Sequence, residues 1–417
     1  MFDYTPLHAA QALGVVEKLQ AAGFTAYFAG GCVRDALLGR KPKDFDVATD
    51  AVPDKVRDVF GKSRTLAFGA SFGVIGVLGD ADTPTEVATF RSDGDYSDGR
   101  RPDSVRYGTA EFDALRRDFT INGVFYDPKA SRLIDFVGGE NDLRRRIIRA
   151  IGDPDKRINE DKLRMLRAVR FASSLGFTIE PNTFDATKRF AADVSIVSGE
   201  RIGAEMRRML SSPGSSIAIQ LLFETGLLSH VWPTFALQIC RNEKQLIDAK
   251  LLLGAIDPPS FVVATACVLA NADTDVQHSL AELVRIWKLS CDEKRVIDAS
   301  VEHRETILNA FNRPWSVVQP ILASRDARAI VSVAKAWGQA FNEQESGTKL
   351  CEERLGWSRE QLDPSPLVTG DTLNELGFKP GPQFRDVLQS LRNDQLDQKI
   401  ATKEAAIQRA VWLLRQP

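Results

Sequence analysis

The sequence predicts an α+β protein: a head of short strands and helices, then a remainder that is helical throughout. Three observations predict it. Up to about residue 135, short β-branched runs alternate with helical stretches. From about residue 140 the apolar spacing becomes that of amphipathic helices and stays so. Turn-rich breaks divide the helical part at Ser211-Ser212-Pro213-Gly214-Ser215, Asp257-Pro258-Pro259-Ser260 and Asp363-Pro364-Ser365-Pro366. The 417 residues are enough for roughly two to four domains with a substantial core.

The elements follow in order. Ala26-Tyr27-Phe28-Ala29 is a short apolar strand that ends at a Gly30-Gly31 turn, and the turn opens a helix carrying Arg34. Asp44-Phe45-Asp46-Val47-Ala48-Thr49 reads as the next strand. Pro53 starts a helix reaching about Phe60, as proline suits a first helical position. Gly73 to Leu78 and Glu86 to Arg91 read as strands, with Asp80-Ala81-Asp82-Thr83-Pro84 turning between them. Arg91 to Val105 is polar, with two glycines and a proline, and reads as a loop. Beyond it, Leu163, Leu166, Val169 and Phe171 mark one amphipathic helix. Ile202, Met206, Met209 and Leu210 mark another, with Ser198 as its N-cap. Phe261 to Ala270 is the most apolar run and is too short to span a bilayer, so it reads as a buried helix.

Composition narrows the function classes. Hydrophobic content of 43%, charged content of 26% and a net charge of -2 describe an ordinary globular protein and exclude a polycation. Basic residues nevertheless crowd the first half, at Arg100-Arg101, Arg116-Arg117, Arg144-Arg145-Arg146, Arg149, Arg164, Arg167 and Arg170. Such local clusters suit a polyanion even when the total is near neutral. The five cysteines are scattered and odd in number, which argues against a zinc site or a disulfide framework. No basic-then-apolar export segment is evident, and a cytoplasmic, membrane-free protein is expected. The four histidines form no His-Asp metal signature.

The chemistry concentrates in a few strings. Strand side chains alternate faces, so Asp44 and Asp46 project from one side, as a divalent metal pair requires. The adjacent glycine turn at a helix start offers backbone N–H groups to phosphate. Arg116-Arg117-Asp118-Phe119-Thr120-Ile121-Asn122-Gly123 begins with tandem guanidinium groups, which pair bidentately with phosphate oxygens. In Glu160-Asp161-Lys162-Leu163-Arg164-Met165-Leu166-Arg167-Ala168-Val169-Arg170-Phe171, Asp161, Arg164, Arg167 and Arg170 recur every third residue, one drifting stripe if the whole run is helical. Read singly, each string describes a turn, a solvated strand or a salt-bridged helix face. Their order along one chain carries more.

Taken together, these strings resemble the class II nucleotidyltransferases, the tRNA CCA-adding enzymes and bacterial poly(A) polymerases. Residues 30–49 resemble motif A, 116–123 motif B, Asp135-Phe136-Val137-Gly138-Gly139 motif C, 160–171 motif D and 197–202 motif E. Gly123 stands where that family usually has alanine. The likeness returns at Thr369-Gly370-Asp371-Thr372-Leu373 and from Gly377 to Pro382.

The resemblance implies a nucleotidyltransferase head over 1–138, a mixed β-sheet with flanking helices. It also implies an all-α neck over 139–212, body over 213–362 and tRNA-binding tail over 363–417. It implies template-independent addition of CCA to tRNA from CTP and ATP, with magnesium on Asp44 and Asp46 and Glu86 as a third catalytic carboxylate. Gly30, Gly31, Arg34 and Arg117 would hold phosphates or sugar. Asp161 and Arg164 would select the base, and Arg167 and Arg170 would position the base and phosphates. The polar segment after Arg91 resembles the loop that helps switch from C to A, and no obligate protein partner is implied. The base choice makes chemical sense. Carboxylate accepts and guanidinium donates, while C and A both present an amine beside a ring-nitrogen acceptor, and G and U do not. A poly(A) polymerase, or an enzyme adding only CC or only A, shares these motifs.

Overall fold

The computed structural model describes residues 2–69, 73–94, 105–272, 275–343, 345–379 and 381–414. Most of the loop predicted after Arg91, with Arg100-Arg101, and Pro380 of the tail motif lie outside them. Two compact units divide the chain: Met1–Glu205 with Leu221–Val231, and Met206–Gln220 with Trp232–Pro417.

The first unit is built on a mixed sheet. Helix α1 (Leu7–Ala21) precedes strand β1 (Ala26–Ala29), helix α2 (Gly31–Leu37), strand β2 (Asp46–Thr49) and helix α3 (Pro53–Phe60). Strands β3 (Thr65–Gly69), β4 (Val74–Val77), β5 (Thr85–Thr89), β6 (Arg91–Asp93) and β7 (Val105–Tyr107) lead to helix α4 (Ala110–Leu115) and strands β8 (Val124–Asp127) and β9 (Arg132–Asp135). The main sheet runs β3-β4-β5-β2-β1-β8-β9. Its β2–β5 pair is parallel, with Val47 opposite Val87, and its other pairs are antiparallel. Strands β6 and β7 form a separate ribbon.

Each face of this sheet buries its own apolar set. Val15, Val16 and Leu19 of α1 and Val56 of α3 pack with Phe28, Val47, Ile75 and Val87. The other set joins Ala29, Ala48, Phe90, Ala114 and Phe125. Burial of one such Val, Leu, Ile or Phe side chain contributes about 1.5–3 kcal/mol, so alternation along β1 and β2 decides which residues turn inward.

Helices dominate from Gly139. They are α5 (Gly139–Arg145), α6 (Pro154–Glu160), α7 (Leu163–Leu175), α8 (Pro181–Arg189) and α9 (Gly199–Leu210), with short strands β10 (Ile147–Ile148) and β11 (Thr178–Ile179) pairing in parallel. Helix α9 begins directly after Ser198. In the second unit the apolar run forms a helix over Phe261–Asn271, buried at Val263, Ala264, Ala266, Cys267 and Val268. Two further cores form there, around Ile307, Val318, Ile330 and Ala334, and around Val368, Leu373, Leu391 and Ala410. Among the described residues no helix is long and apolar enough to cross a membrane.

Two expectations need correction. The stripe from Asp161 to Arg170 is not one helix, because α6 stops at Glu160 and α7 starts at Leu163. Asp161 lies between them with extended backbone (φ -147°, ψ 105°), so only the arginines share a helix. The strand predicted from Asp44 begins at Asp46. The alternation survives: Asp44 and Asp46 are exposed while Phe45 is 6% exposed.

Candidate active site

Asp46 opens β2 opposite Ala29, and the parallel register of β2 on β5 sets Glu86 beside it. Asp44, Asp46 and Glu86 line one cleft of about 640 Å³, with His8, Lys43 and Phe45. Phe45 anchors its floor, with its ring 5.3 Å from Phe28 and 5.5 Å from His8. The Asp46 side chain reaches solvent but has protein on most sides. Desolvation there, the Glu86 carboxylate and then Asp44 push Asp46 up to about 6, against the pull of Arg117. The three carboxylates therefore leave uncompensated negative charge at one place, which suits a divalent cation. Among the described residues no three His, Cys, Asp or Glu side chains close into a ready metal cage. The set is open on the cleft side, where phosphate oxygens would complete the coordination of a hard cation.

The glycine turn directly follows Ala29, the residue of β1 that pairs with Asp46. Gly30 has φ 72°, a conformation that favours glycine, and a Cβ there would meet Nη1 of Arg117 at 3.0 Å. Nη2 of Arg34 lies 3.7 Å from a Cβ built on Gly31. Arg117 is fixed from several sides. Its Nε and Nη2 donate to Asp113 at 3.1 and 2.9 Å, its Nη1 donates to the Asn122 carbonyl at 3.0 Å, and its guanidinium lies 4.9 Å over Phe125. Burial alone would raise Asp113, but Arg117 and Arg116 outweigh it and hold the carboxyl below its usual range. Gly30, Gly31, Arg34 and Arg117 thus meet at the C-terminal end of β1.

The residues of the Glu160–Phe171 string lie on and before α7. Asp161 accepts from Arg201 at 2.7 Å and from the Leu163 backbone N–H at 3.1 Å. Arg164 is 9% exposed, with Nη1 donating to Glu160 at 2.6 Å and to the Arg157 carbonyl at 2.7 Å. The Asp161 and Arg164 side chains are engaged by different partners, while the Arg164 backbone N–H donates to the Asp161 carbonyl at 3.0 Å. Arg167 donates to Asp118 at 2.8 Å, and Arg170 donates to Glu205 at 2.5 Å.

Several supporting residues escaped the sequence reading. Asp118 accepts from Arg167, from the Asn122 side chain at 3.0 Å and from the Phe119 backbone at 2.8 Å. Burial would raise its pKa; Arg167 and these hydrogen bonds hold it well below the usual carboxylate range. Its place inside the Arg116–Gly123 string was the available signal. Arg201 and Glu205 lie far along the chain from the side chains they fix, and spacing gives no sign of that pairing. Asp135 accepts from the backbone N–H groups of Val137, Gly139 and Glu140, capping α5. Gly139 is compelled there, since a Cβ would stand 2.1 Å from the Thr120 carbonyl oxygen.

Comparison with known proteins follows this geometry. Residues 26–149 match the poly A polymerase head domain family, and 176–238 match the family described as "probable RNA and SrmB-binding site of polymerase A". The CCA-adding enzyme of Geobacillus stearothermophilus is 44% identical over 222 residues, and that alignment spans about half of each chain (53% of this one, 54% of the relative). The CCA-adding enzyme of Levilactobacillus brevis is 31% identical over 416 residues, 98% of this chain and 99% of that one. Among solved structures, the Bacillus stearothermophilus CCA-adding enzyme in complex with CTP superposes with a TM-score of 0.79 at 30% identity, covering 98% of both chains. The Thermotoga maritima CCA-adding enzyme complexed with tRNA(CCA) shares the fold at a TM-score of 0.66 and 20% identity. A mixed-sheet head with paired carboxylates beside a glycine turn, followed by an arginine-bearing helix and matched across nearly its whole length, makes this chain a member of the CCA-adding enzymes, a family of tRNA nucleotidyltransferases.

Proposed function

We propose that this protein adds CCA to the 3′ end of tRNA without a nucleic-acid template, using CTP and ATP and releasing pyrophosphate. The observation that carries the reading is the meeting of Asp44, Asp46 and Glu86 in one cleft beside Gly30, Gly31 and Arg117. Asp44 and Asp46, with Glu86 as a third carboxylate, would hold divalent ions, two magnesium ions in this proposal. Bound there, the metal supplies charge neutralisation at the α-phosphate and activation of the attacking 3′-hydroxyl. Gly30 and Gly31 offer backbone N–H groups, and Arg34 and Arg117 offer guanidinium donors, to the triphosphate and sugar. Asp161 accepts the exocyclic amine of C or A, and Arg164 donates to the ring acceptors. Arg201 and Glu160 occupy these two side chains now, so base entry exchanges those partners. Arg167 and Arg170 position the base and phosphates. In this reading the head spans 1–138, the neck 139–212, the body 213–362 and the tail 363–417, and the last two grip the acceptor stem in the cytoplasm.

The test is incubation with tRNA lacking CCA. With CTP and ATP together the product should grow by three nucleotides and stop, and ATP alone should extend this substrate poorly. Growth of a long A ladder on unstructured RNA, without use of CTP, would make the protein a poly(A) polymerase. A product stopping at CC, or extended only from CC, would make it a partial enzyme.

A further inference from the structure

Phe171 closes the Glu160–Phe171 string and has no part in the reading above. It lies in α7 and is 5% exposed, with its ring 5.8 Å from Phe119 at 79°, edge to face. Three guanidinium groups from two elements converge on this one ring. Arg170 stands 3.9 Å from its centroid, and Arg167 and Arg34 each stand 5.2 Å from it. Arg167 and Arg170 come from α7 itself, while Arg34 comes from α2 behind the glycine turn. Like charges this close repel, so something must hold them. Asp118 pairs with Arg167 at 2.6 Å, Glu205 with Arg170 at 2.5 Å and Asp35 with Arg34 at 2.8 Å. Asn122 joins the two ends, accepting from Arg34 at 2.8 Å and donating to Asp118 at 3.0 Å. The carboxylates lie around the cluster, and the aromatic ring is the group all three cations share. A ring face carries negative quadrupolar charge and attracts a guanidinium without neutralising it. Each guanidinium keeps its own carboxylate, and the ring gathers the three without adding a further negative group beside them.

We propose that Phe171 is a positioning residue: its ring gathers Arg34, Arg167 and Arg170 into one cluster, ties the glycine-turn helix to the arginine stripe of α7, and so sets affinity for the nucleoside triphosphate. An aliphatic side chain of similar volume fills the same space but offers the cations nothing. This inference rests on the proposed function for the identity of its ligand, but the clustering of the arginines does not.

A fluorination series tests it. In the full chain, Phe171 is replaced by mono-, di- and trifluorophenylalanine, which keep the ring's shape and drain charge from its face, and in parallel by Leu and by Tyr. Equilibrium binding of CTP and the unfolding midpoint are read for each. CTP affinity should fall stepwise with each fluorine, and Phe171→Leu should bind CTP about tenfold more weakly. Phe171→Tyr, which keeps an electron-rich ring, should bind within about threefold of wild type. In turnover, Phe171→Leu should raise KM more than it lowers kcat. A CTP affinity that is flat across the fluorinated ring series would overturn the proposal, because shape alone would then account for the residue. If the wild type fails to bind CTP, the proposed function falls. The unfolding midpoint then decides the positioning role: a stepwise drop with fluorination supports it, and a flat series refutes it.

Discussion

Replacing Asp118 by Ala should destabilise the first unit more than any single change at the cleft. The carboxylate accepts from the Phe119 backbone, the Asn122 amide and Arg167, with Nη2 of Arg167 at 2.6 Å. Truncation strands the guanidinium, whose next acidic neighbour, Glu205, is 4.0 Å away. Removing one partner of a buried ion pair costs about 3–5 kcal/mol. Arg167 keeps 30% side-chain exposure, which places the cost near the lower end, about 3 kcal/mol. For a unit of this size each kcal/mol moves Tm by roughly 2–4 °C, so a drop of roughly 6–12 °C is expected. Adding Arg167→Met should recover part of it, since the orphaned charge is gone.

The pH dependence carries a definite sign. The native Asp118 pKa is depressed, so its contribution is full above the unfolded carboxylate value near about 4 and is lost as pH falls below it. The gap between wild type and Asp118→Asn should therefore be widest near neutrality and narrow in acid. Thermal unfolding by circular dichroism from neutral to acid pH measures both quantities. A cost below about 1 kcal/mol, or a gap that stays constant into acid, would refute the argument that Asp118 is the charge that compensates Arg167 in a buried pair.

Three further outcomes are expected. Asp44→Asn or Asp46→Asn should abolish nucleotide incorporation while tRNA binding and the unfolding midpoint persist; turnover within threefold of wild type in a primer-extension gel would remove the metal assignment. Asp161→Ala and Arg164→Ala should admit GTP and UTP, since a mismatched polar group in a built site costs about 1–3 kcal/mol; strict C and A selection by slowed variants, read with each nucleotide singly, would place the selection elsewhere. Gly123→Ala should cost about 1–3 kcal/mol in urea unfolding, because the new Cβ would meet Val137 Cγ2 at 2.7 Å and Ile151 Cδ1 at 3.2 Å. Adding Val137→Ala should relieve it, and a cost unchanged in the double variant would point to the backbone instead.

Much of this protein was legible in its residues. The α+β class, the strands at 26–29, 74–77 and 85–89, the helix from Pro53 and the buried helix at 261–271 follow from local patterns of period and punctuation. Helix α1 and strands β8 and β9 went unread: α1 has apolar residues spread around it, and four-residue strands carry little periodicity. The Asp44–Asp46 pair was legible because strand alternation is local. The continuous helix expected through Asp161 broke at Glu160.

By itself the sequence determined which chemistry the chain carries: acidic pair, glycine turn, tandem arginines and arginine stripe, each confined to a few adjacent residues. Only the tertiary structure decided which of them meet. The parallel register of β2 and β5 brought Glu86 to Asp46 across some 40 positions of chain, a separation at which local pattern says nothing. The partners of Arg201 and Glu205, and the convergence of Arg34 with Arg167 and Arg170 on Phe171, were likewise decided by packing. The physical reason is that backbone preference and periodicity act over a few residues, whereas ion pairs and ring contacts need only proximity in space, which the folded core alone supplies.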